Sequence, residues 1–159
     1  MGYLMLVADD EEYNLDVIRD HLAGEPYELV EAMDGAEALE KLAQRPGDFR
    51  CAILDRMMPR VDGLEVLRRM KADPVLARIP VVMQTAMSAP EQVAEGLDAG
   101  AFYYLGKPYS GAVMRSVIAN ALRHGEFLRS ASGEIEAHIA MMRLLDRAQF
   151  RFRTLAQAR

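Results

Sequence analysis

The chain has 159 residues, of which 51% are hydrophobic and 27% charged, a balance typical of one globular domain with a modest extension. No run of about 18 apolar residues occurs, and the start lacks a basic segment followed by an apolar one, so we expect neither a membrane span nor a signal peptide and predict a cytoplasmic protein. The formal net charge of −5 argues against nucleic-acid binding by the main domain, because affinity for a phosphate backbone requires a clustered basic face.

Five short apolar runs alternate with longer amphipathic ones, which is typical of βαβ units around a parallel sheet. The predicted strands cover residues 3–8, 27–31, 51–54, 81–85 and 102–105. The run from Pro80 to Met83 is almost continuously hydrophobic, as expected of a strand that helices cover on both faces. The single cysteine, Cys51, lies in the third run and is interpreted as a small buried hydrophobic residue.

A helical pattern follows each strand. The predicted helices cover residues 13–23, 63–72 and 111–123, and two more begin near Asp34 and Ser88. Asp34 and Ser88 each stand three positions before a glutamate, the pattern of a capping box that satisfies two unpaired backbone donors. Right-handed crossovers between the strands predict an α/β fold with a doubly wound five-stranded parallel sheet. In such a sheet the ligand site lies beyond the carboxyl ends of the strands.

The pattern changes at about residue 126, so we predict a first domain over residues 1–125 and a helical extension over 126–159. Apolar residues recur there at mostly three-, four- and seven-residue steps, which favours one long amphipathic helix after a break at 130–133. They are Leu128, Ile135, Ile139, Met142, Leu145, Phe152 and Leu155. Two such helices would form a homodimer seam, although Gln149 interrupts the pattern. The end at Arg159 carries no turn signal, so we expect a piece of a longer protein.

Residues with phosphoryl-transfer chemistry stand at the ends of the predicted strands. Asp9 and Asp10 follow the first strand, Asp55 follows the third, Thr85 ends the fourth and Lys107 follows the fifth. Carboxylates are hard ligands for Mg²⁺, and a carboxylate nucleophile forms an acyl phosphate. The lysine and the hydroxyl stabilise the transferring oxygens. Three carboxylates and an incoming phosphate repel one another, so we predict that a divalent cation is required.

At these positions the sequence resembles the receiver domain family of two-component response regulators. The matching motifs are Asp9-Asp10, Asp55, Met58-Pro59, Asp62-Gly63, Thr85-Ala86 and Lys107-Pro108. The resemblance covers about residues 3–123. It implies a flavodoxin-like sheet with the strand order 2-1-3-4-5, as in the chemotaxis receivers. It also implies a domain that catalyses its own phosphorylation and dephosphorylation without being a conventional enzyme.

The resemblance implies a metal site and a phosphoryl donor. Asp55 would accept the phosphoryl group from a histidine kinase or a histidine phosphotransfer protein. Asp10 would bind Mg²⁺, or Mn²⁺, directly, and Asp9 would act mostly through water. Asp55 itself and the backbone carbonyl of Met57 would complete the protein ligands.

The resemblance further implies a conformational switch. Lys107 would pair with the phosphoryl group and precede a cis peptide bond at Pro108. Thr85 would move toward the phosphoryl group, and the small Ala86 would leave room for it. Tyr104 matches the aromatic residue whose inward or outward rotamer reports activation. Phosphorylation would thereby shift the face formed by residues 85–109.

Two other classes of protein share parts of this sequence pattern. A flavin-binding protein of the same sheet order would need a cradle of backbone donors where this chain has Asp9, Asp10 and two glutamates. A phosphatase of the haloacid dehalogenase type would need a second aspartate two residues after the nucleophile, and that position is Met57. The sequence therefore disfavours both classes.

For the whole protein, the alternative is a regulator with DNA-binding or enzymatic output, of which this chain is the receiver. The residues after Arg123 show no helix-turn-helix pattern. His138 lacks the acidic residue that directly follows the phosphoacceptor histidine of kinases, so we interpret it as a surface histidine. The extension is therefore predicted to dimerise or to pass the signal to a partner.

Overall fold

The computed structural model describes residues 2–86 and 89–157, with side chains described as far as residue 135 apart from 132. The strands are β1 (Tyr3–Ala8), β2 (Tyr27–Ala32), β3 (Phe49–Asp55), β4 (Val81–Thr85) and β5 (Tyr103–Gly106). The helices are α1 (Glu12–Leu22), α2 (Gly35–Gln44), α3 (Gly63–Ala72), α4 (Pro90–Asp98) and α5 (Gly111–Gln157), and a short 3₁₀ turn, Leu76–Arg78, precedes β4.

The five strands form one parallel sheet in the order β2-β1-β3-β4-β5. This confirms the predicted doubly wound α/β fold. The third strand is longer than the apolar run that predicted it, because it begins at Phe49 and includes Asp55 as its last residue. Asp55 is therefore held by the ladder between β3 and β4, where it pairs with Gln84.

Alternate residues along the strands fill two cores, one on each face of the sheet. On one face, strand residues pack against α1 and α5 through Leu15, Ile18, Met114 and Ile118. On the other face, they pack against α2 and α3 through Leu42, Leu67 and Met70. Because both faces are covered, the strands read as nearly continuous apolar runs in the sequence.

The capping box predicted at the start of α2 is confirmed, with one difference in detail. The Asp34 carboxylate accepts a hydrogen bond from the Glu37 amide at 2.9 Å. The Glu37 carboxylate accepts from the amide of Met33, at 2.8 Å, rather than from that of Asp34. In α4, Ala89 occupies the N-cap position and makes no side-chain cap bond. Ser88, the cap predicted for α4, lies outside the described residues.

The break predicted at 130–133 is wrong, because α5 continues through these residues. One glycine inside a helix costs only about 1 kcal/mol relative to alanine, and Ala131 and Glu134 nearby are good helix formers. The chain separates into two compact units, Met1–Gly125 and Glu126–Arg159, and the first carries the sheet. A dimerising role of the second unit stays a prediction. None of the described helices is long and apolar enough to cross a membrane.

The start of α3 lies directly against the end of β3, which makes Gly63 intolerant of a side chain. A Cβ atom at Gly63 would lie 2.0 Å from the carbonyl oxygen of Asp55. We expect Gly63→Ala to lower the free energy of unfolding in urea by about 2 kcal/mol, because the backbone of either element must move. Gly47→Ala is the matched control, since a Cβ there meets nothing within 4 Å. Equal stabilities of the two variants would contradict the close approach.

Candidate functional site

The carboxyl ends of four strands bring the predicted site residues together at one edge of the sheet. Asp9 and Asp10 follow β1, Asp55 ends β3, Thr85 ends β4 and Lys107 follows β5. Oxygen atoms of Asp9, Asp10 and Asp55 lie within 4.8 Å of one another. The convergence arises because parallel strands of similar length all end on the same side of the sheet.

Asp9 is fully buried, and both of its oxygens are occupied by donors. Oδ1 accepts from the amide of Glu11 at 2.9 Å and from Asn14 Nδ2 at 3.0 Å. Oδ2 accepts from Lys107 Nζ at 2.9 Å and from Gln84 Nε2 at 3.1 Å. Four donors fill the lone-pair sites of this carboxylate. Asp10, in contrast, is exposed.

Lys107 is the cation of the site. Its ammonium contacts Asp9 and also lies 3.6 Å from Asp55 Oδ2. Its backbone amide donates to the carbonyl of Thr85 at 2.8 Å, which fixes the loop after β5 to the end of β4. The peptide bond to Pro108 is cis. One ammonium therefore faces two carboxylates that belong to different strands.

The pKa of Asp55 is raised from 3.8 to about 6. Burial is the largest cause, because it removes water from the charged form, and the negative charges of Asp9 and Asp10 act in the same direction. The Lys107 charge and a backbone hydrogen bond from Met57 lower the pKa but do not offset the increase. The pocket thus carries more negative charge than its lysine neutralises, which is the electrostatic setting that attracts a divalent cation.

The phosphoryl-binding residues predicted from the sequence lie at the same edge. Thr85 is 2% exposed at the end of β4. Ala86 and Lys107 line a pocket of about 320 Å³ together with Tyr13 and Tyr109. The sequence placed these residues correctly relative to the strands, while the roles assigned to them stay predictions.

Tyr104 packs against α4 rather than projecting freely into solvent. It is half-buried, and a Cβ atom at Gly96 would lie 2.5 Å from Tyr104 Cε2. Arg56, the residue after Asp55, also contacts α4, where its guanidinium donates to the carbonyl of Gln92 at 3.3 Å and to the Glu95 carboxylate at 2.6 Å. The end of β3 and the ring of Tyr104 therefore both contact one short helix.

Sequence reasoning missed two residues of the site, Gln84 and Tyr109. Gln84 is fully buried, and its amide lies between Asp9 and the hydroxyl of Tyr109, which donates to Gln84 Oε1 at 2.5 Å. The sequence did contain an indication of Gln84, because a glutamine directly before Thr85 follows three apolar residues of the predicted strand. A buried amide requires hydrogen-bond partners, and Gln84 finds them in Asp9 and Tyr109 at the sheet edge.

The raised pKa of Asp55 makes stability depend on pH in the absence of metal. The folded chain holds the Asp55 proton up to about pH 6, whereas the unfolded chain releases it near pH 4. Unfolding therefore releases a proton in this range, and the free energy of unfolding falls as pH rises. The stability advantage of Asp55→Asn over the wild type should grow by about 2 kcal/mol between pH 4 and pH 7 and then stay level.

Urea denaturation in EDTA at several pH values measures this difference, and Mg²⁺ should narrow it at pH 7 by stabilising the wild type more. An advantage of Asp55→Asn that does not change between pH 4 and pH 7 would contradict the electrostatic description of the pocket.

Comparisons with known proteins identify the family to which the chain is similar. The family model of the response regulator receiver domain matches residues 5–119. Response regulator PleD of Caulobacter vibrioides is 37% identical over 123 residues, which cover 77% of this chain and 27% of that protein. The phosphate regulon transcriptional regulatory protein PhoB of Pseudomonas aeruginosa is 32% identical over 145 residues, covering 91% of this chain and 60% of PhoB.

Solved structures show the same architecture. The crystal structure of a response regulator receiver domain protein from Clostridium thermocellum has a TM-score of 0.73 and 26% identity, and the match covers 79% of this chain and 98% of that one. This chain spans 27% of the length of PleD and 60% of that of PhoB. The family match covers most of the first compact unit, including the edge where the carboxylates and the lysine meet. The chain belongs to the response regulator receiver domain family of two-component signalling.

Proposed function

We propose that this chain is a phosphorylation switch, in which Asp55 accepts a phosphoryl group from a histidine kinase or a histidine phosphotransfer protein. The observation that carries the proposal is the position of Asp55, whose buried carboxylate ends β3 within 3.6 Å of Lys107 Nζ and beside two further carboxylates. A nucleophile, a cation and a set of hard oxygen ligands at one point are what phosphoryl transfer requires.

The oxygen ligands fit Mg²⁺, or Mn²⁺ in its place. Asp10, Asp55 and the backbone carbonyl of Met57 would hold the cation directly. Asp9 would act through water rather than as a direct ligand, because four donors already occupy its oxygens, and a metal-bound water would replace one of those donors. The cation, when bound, supplies positive charge that neutralises the pocket and the transferring phosphoryl oxygens.

The residues of the chain supply the remaining parts of the reaction. A carboxylate oxygen of Asp55 forms a bond to phosphorus as the bond from phosphorus to the imidazole nitrogen of the donor breaks, and that nitrogen keeps the electron pair. Lys107 leaves Asp9 to contact the phosphoryl oxygens, and the Thr85 hydroxyl donates to them as well. The product is an acyl phosphate on Asp55.

The response to phosphorylation would pass through α4. Thr85 would move toward the phosphoryl group, with space left by Ala86, and Tyr104 would change its packing on Gly96. The contacts of Arg56 with Gln92 and Glu95 give a second connection between the end of β3 and the same helix. The face formed by residues 85–109 would have two packing arrangements, and phosphorylation would favour one of them.

The output of the whole protein is a second proposal. The chain spans only part of the length of relatives such as PleD and PhoB, and PhoB is named as a transcriptional regulator. A DNA-binding or enzymatic output domain in the intact protein is consistent with that difference in length. Homodimerisation through the helical extension is likewise a prediction.

We expect Mg²⁺ and radiolabelled acetyl phosphate to label the wild-type chain at one site and Asp55→Asn not at all, because an amide cannot form the acyl phosphate. Asp62→Asn is the matched control. Asp62 is exposed and caps α3 by accepting from the amide of Glu65, and asparagine caps a helix equally well. Incorporated radioactivity per chain is the measurement.

Base-labile label that persists on Asp55→Asn would refute the assignment of the phosphoacceptor. Equal loss of label in Asp62→Asn would show that the effect belongs to the loop and not to Asp55.

The contact between Tyr104 and Gly96 tests the proposed switch. Gly96→Ala places a methyl group where the Tyr104 ring now lies, so the ring must move. If the ring position is coupled to phosphorylation, the acetyl phosphate concentration at half-maximal labelling should change about fivefold or more. Gly133→Ala is the control, because it makes the same change in a helix where a Cβ meets nothing within 4 Å. An equal change of this concentration in the two variants would show that the position of the Tyr104 ring is not coupled to phosphorylation.

A further inference from the structure

Gln84 is a neutral residue that borders the charged site, although it lies in a largely apolar strand. It is fully buried in β4, and it pairs with Asp55 across the ladder between β3 and β4. The amide of Arg56 donates to the Gln84 carbonyl at 2.9 Å, so the backbone directly after Asp55 is also fixed to β4. The side chain reaches the acidic pocket from within the sheet.

Both ends of the Gln84 amide are used, and the chemistry of the partners fixes its orientation. A carboxylate only accepts hydrogen bonds, so the Nε2 group must face Asp9 Oδ2, at 3.1 Å. The Oε1 atom is left to accept from the hydroxyl of Tyr109 at 2.5 Å. The three side chains form a continuous chain of donors and acceptors from Tyr109 to Asp9.

Tyr109 connects these hydrogen bonds to the loop that carries Lys107. It stands two residues after Lys107, and its ring packs against the core beneath α1 and α5. Burial and the charges of Asp9 and Asp55 raise the pKa of the Tyr109 hydroxyl, so it remains a proton donor at neutral pH. The loop after β5 thus contacts Asp9 twice, directly through Lys107 and indirectly through Tyr109 and Gln84.

The two connections differ in what phosphorylation does to them. Lys107 is an ammonium that phosphoryl oxygens attract, and under the proposed function it leaves Asp9 when they arrive. Gln84 is neutral and fully buried, with both ends of its amide already paired, so nothing in the reaction draws it away from Asp9. Without Gln84, Oδ2 of Asp9 would lose the donor that remains once Lys107 has moved.

We propose that Gln84 and Tyr109 form a positioning relay that holds Asp9 in the orientation in which it binds Mg²⁺ through water, together with Lys107 before phosphorylation and without it afterwards. The inference rests on the proposed function, since it concerns the same metal site. Groups that hydrogen-bond a metal-binding side chain commonly set its orientation, and their loss weakens metal affinity. Neither residue touches the reacting atoms, so both are positioning residues.

Calorimetric titration of Mg²⁺ alone into the full chain tests the relay. In Gln84→Leu the Kd for Mg²⁺ should rise about tenfold, because Asp9 loses a fixed donor. In Tyr109→Phe it should rise less, because the amide keeps its bond to Asp9 but loses its own anchor. The double variant should bind no more weakly than Gln84→Leu, because the two residues act in series.

Val82→Ala is the matched control. Val82 is fully buried in the same strand and on the same face, so its truncation lowers stability while leaving the contacts of Asp9 intact. Its Kd for Mg²⁺ should equal that of the wild type. A purely structural role of Gln84 would instead make Gln84→Leu resemble Val82→Ala, with lower stability and unchanged affinity, and this outcome would overturn the proposal.

The outcomes separate the relay from the proposed function. Unchanged or tighter binding in Gln84→Leu, with labelling of Asp55 intact in the wild type, overturns the relay alone. A wild-type chain that binds no Mg²⁺ overturns the relay together with the proposed metal site. If Gln84→Leu does not fold, Tyr109→Phe decides, since a raised Kd supports the relay and an unchanged Kd refutes it.

Discussion

Repulsion among three carboxylates is the constraint around which the functional edge of this domain is built. Parallel strands end on one side of the sheet, and here that side receives Asp9, Asp10 and Asp55 with oxygens within 4.8 Å of one another. Burial raises the pKa of Asp55 to about 6. In the chain without metal, the fold therefore holds the three carboxylates closer together than their mutual repulsion favours. A site of this kind is stable only if other groups hold the carboxylates in place.

The surrounding residues hold the carboxylates in place through hydrogen bonds, ion pairs and packing. The Lys107 ammonium faces two of the carboxylates, and Gln84, Asn14 and a backbone amide complete the partners of Asp9. Asp55 is fixed through its strand, with Gly63 packed on its carbonyl. Removal or addition of negative charge at Asp55 therefore acts on a network that already extends to β4, to the loop after β5 and, through Arg56, to α4.

The sequence predicted the sheet and its edge well, because apolar runs and the residues that follow them depend on local pattern. It was wrong at 130–133, where a local glycine suggested a break that the surrounding helix overrides. It did not predict Gln84 and Tyr109 as site residues, because their pairing depends on which face of β4 meets the loop after β5. Packing of Tyr104 on Gly96 is likewise a tertiary contact that no spacing reveals.

We propose above all that Asp55 is the residue that carries the phosphoryl group. The most direct measurement treats the full chain with Mg²⁺ and acetyl phosphate, reduces the acyl phosphate with borohydride and locates the resulting homoserine by peptide mass spectrometry. We expect homoserine at position 55 alone, and none when EDTA replaces Mg²⁺. Homoserine at Asp9, Asp10 or Asp62, or at position 55 regardless of the metal, would contradict it.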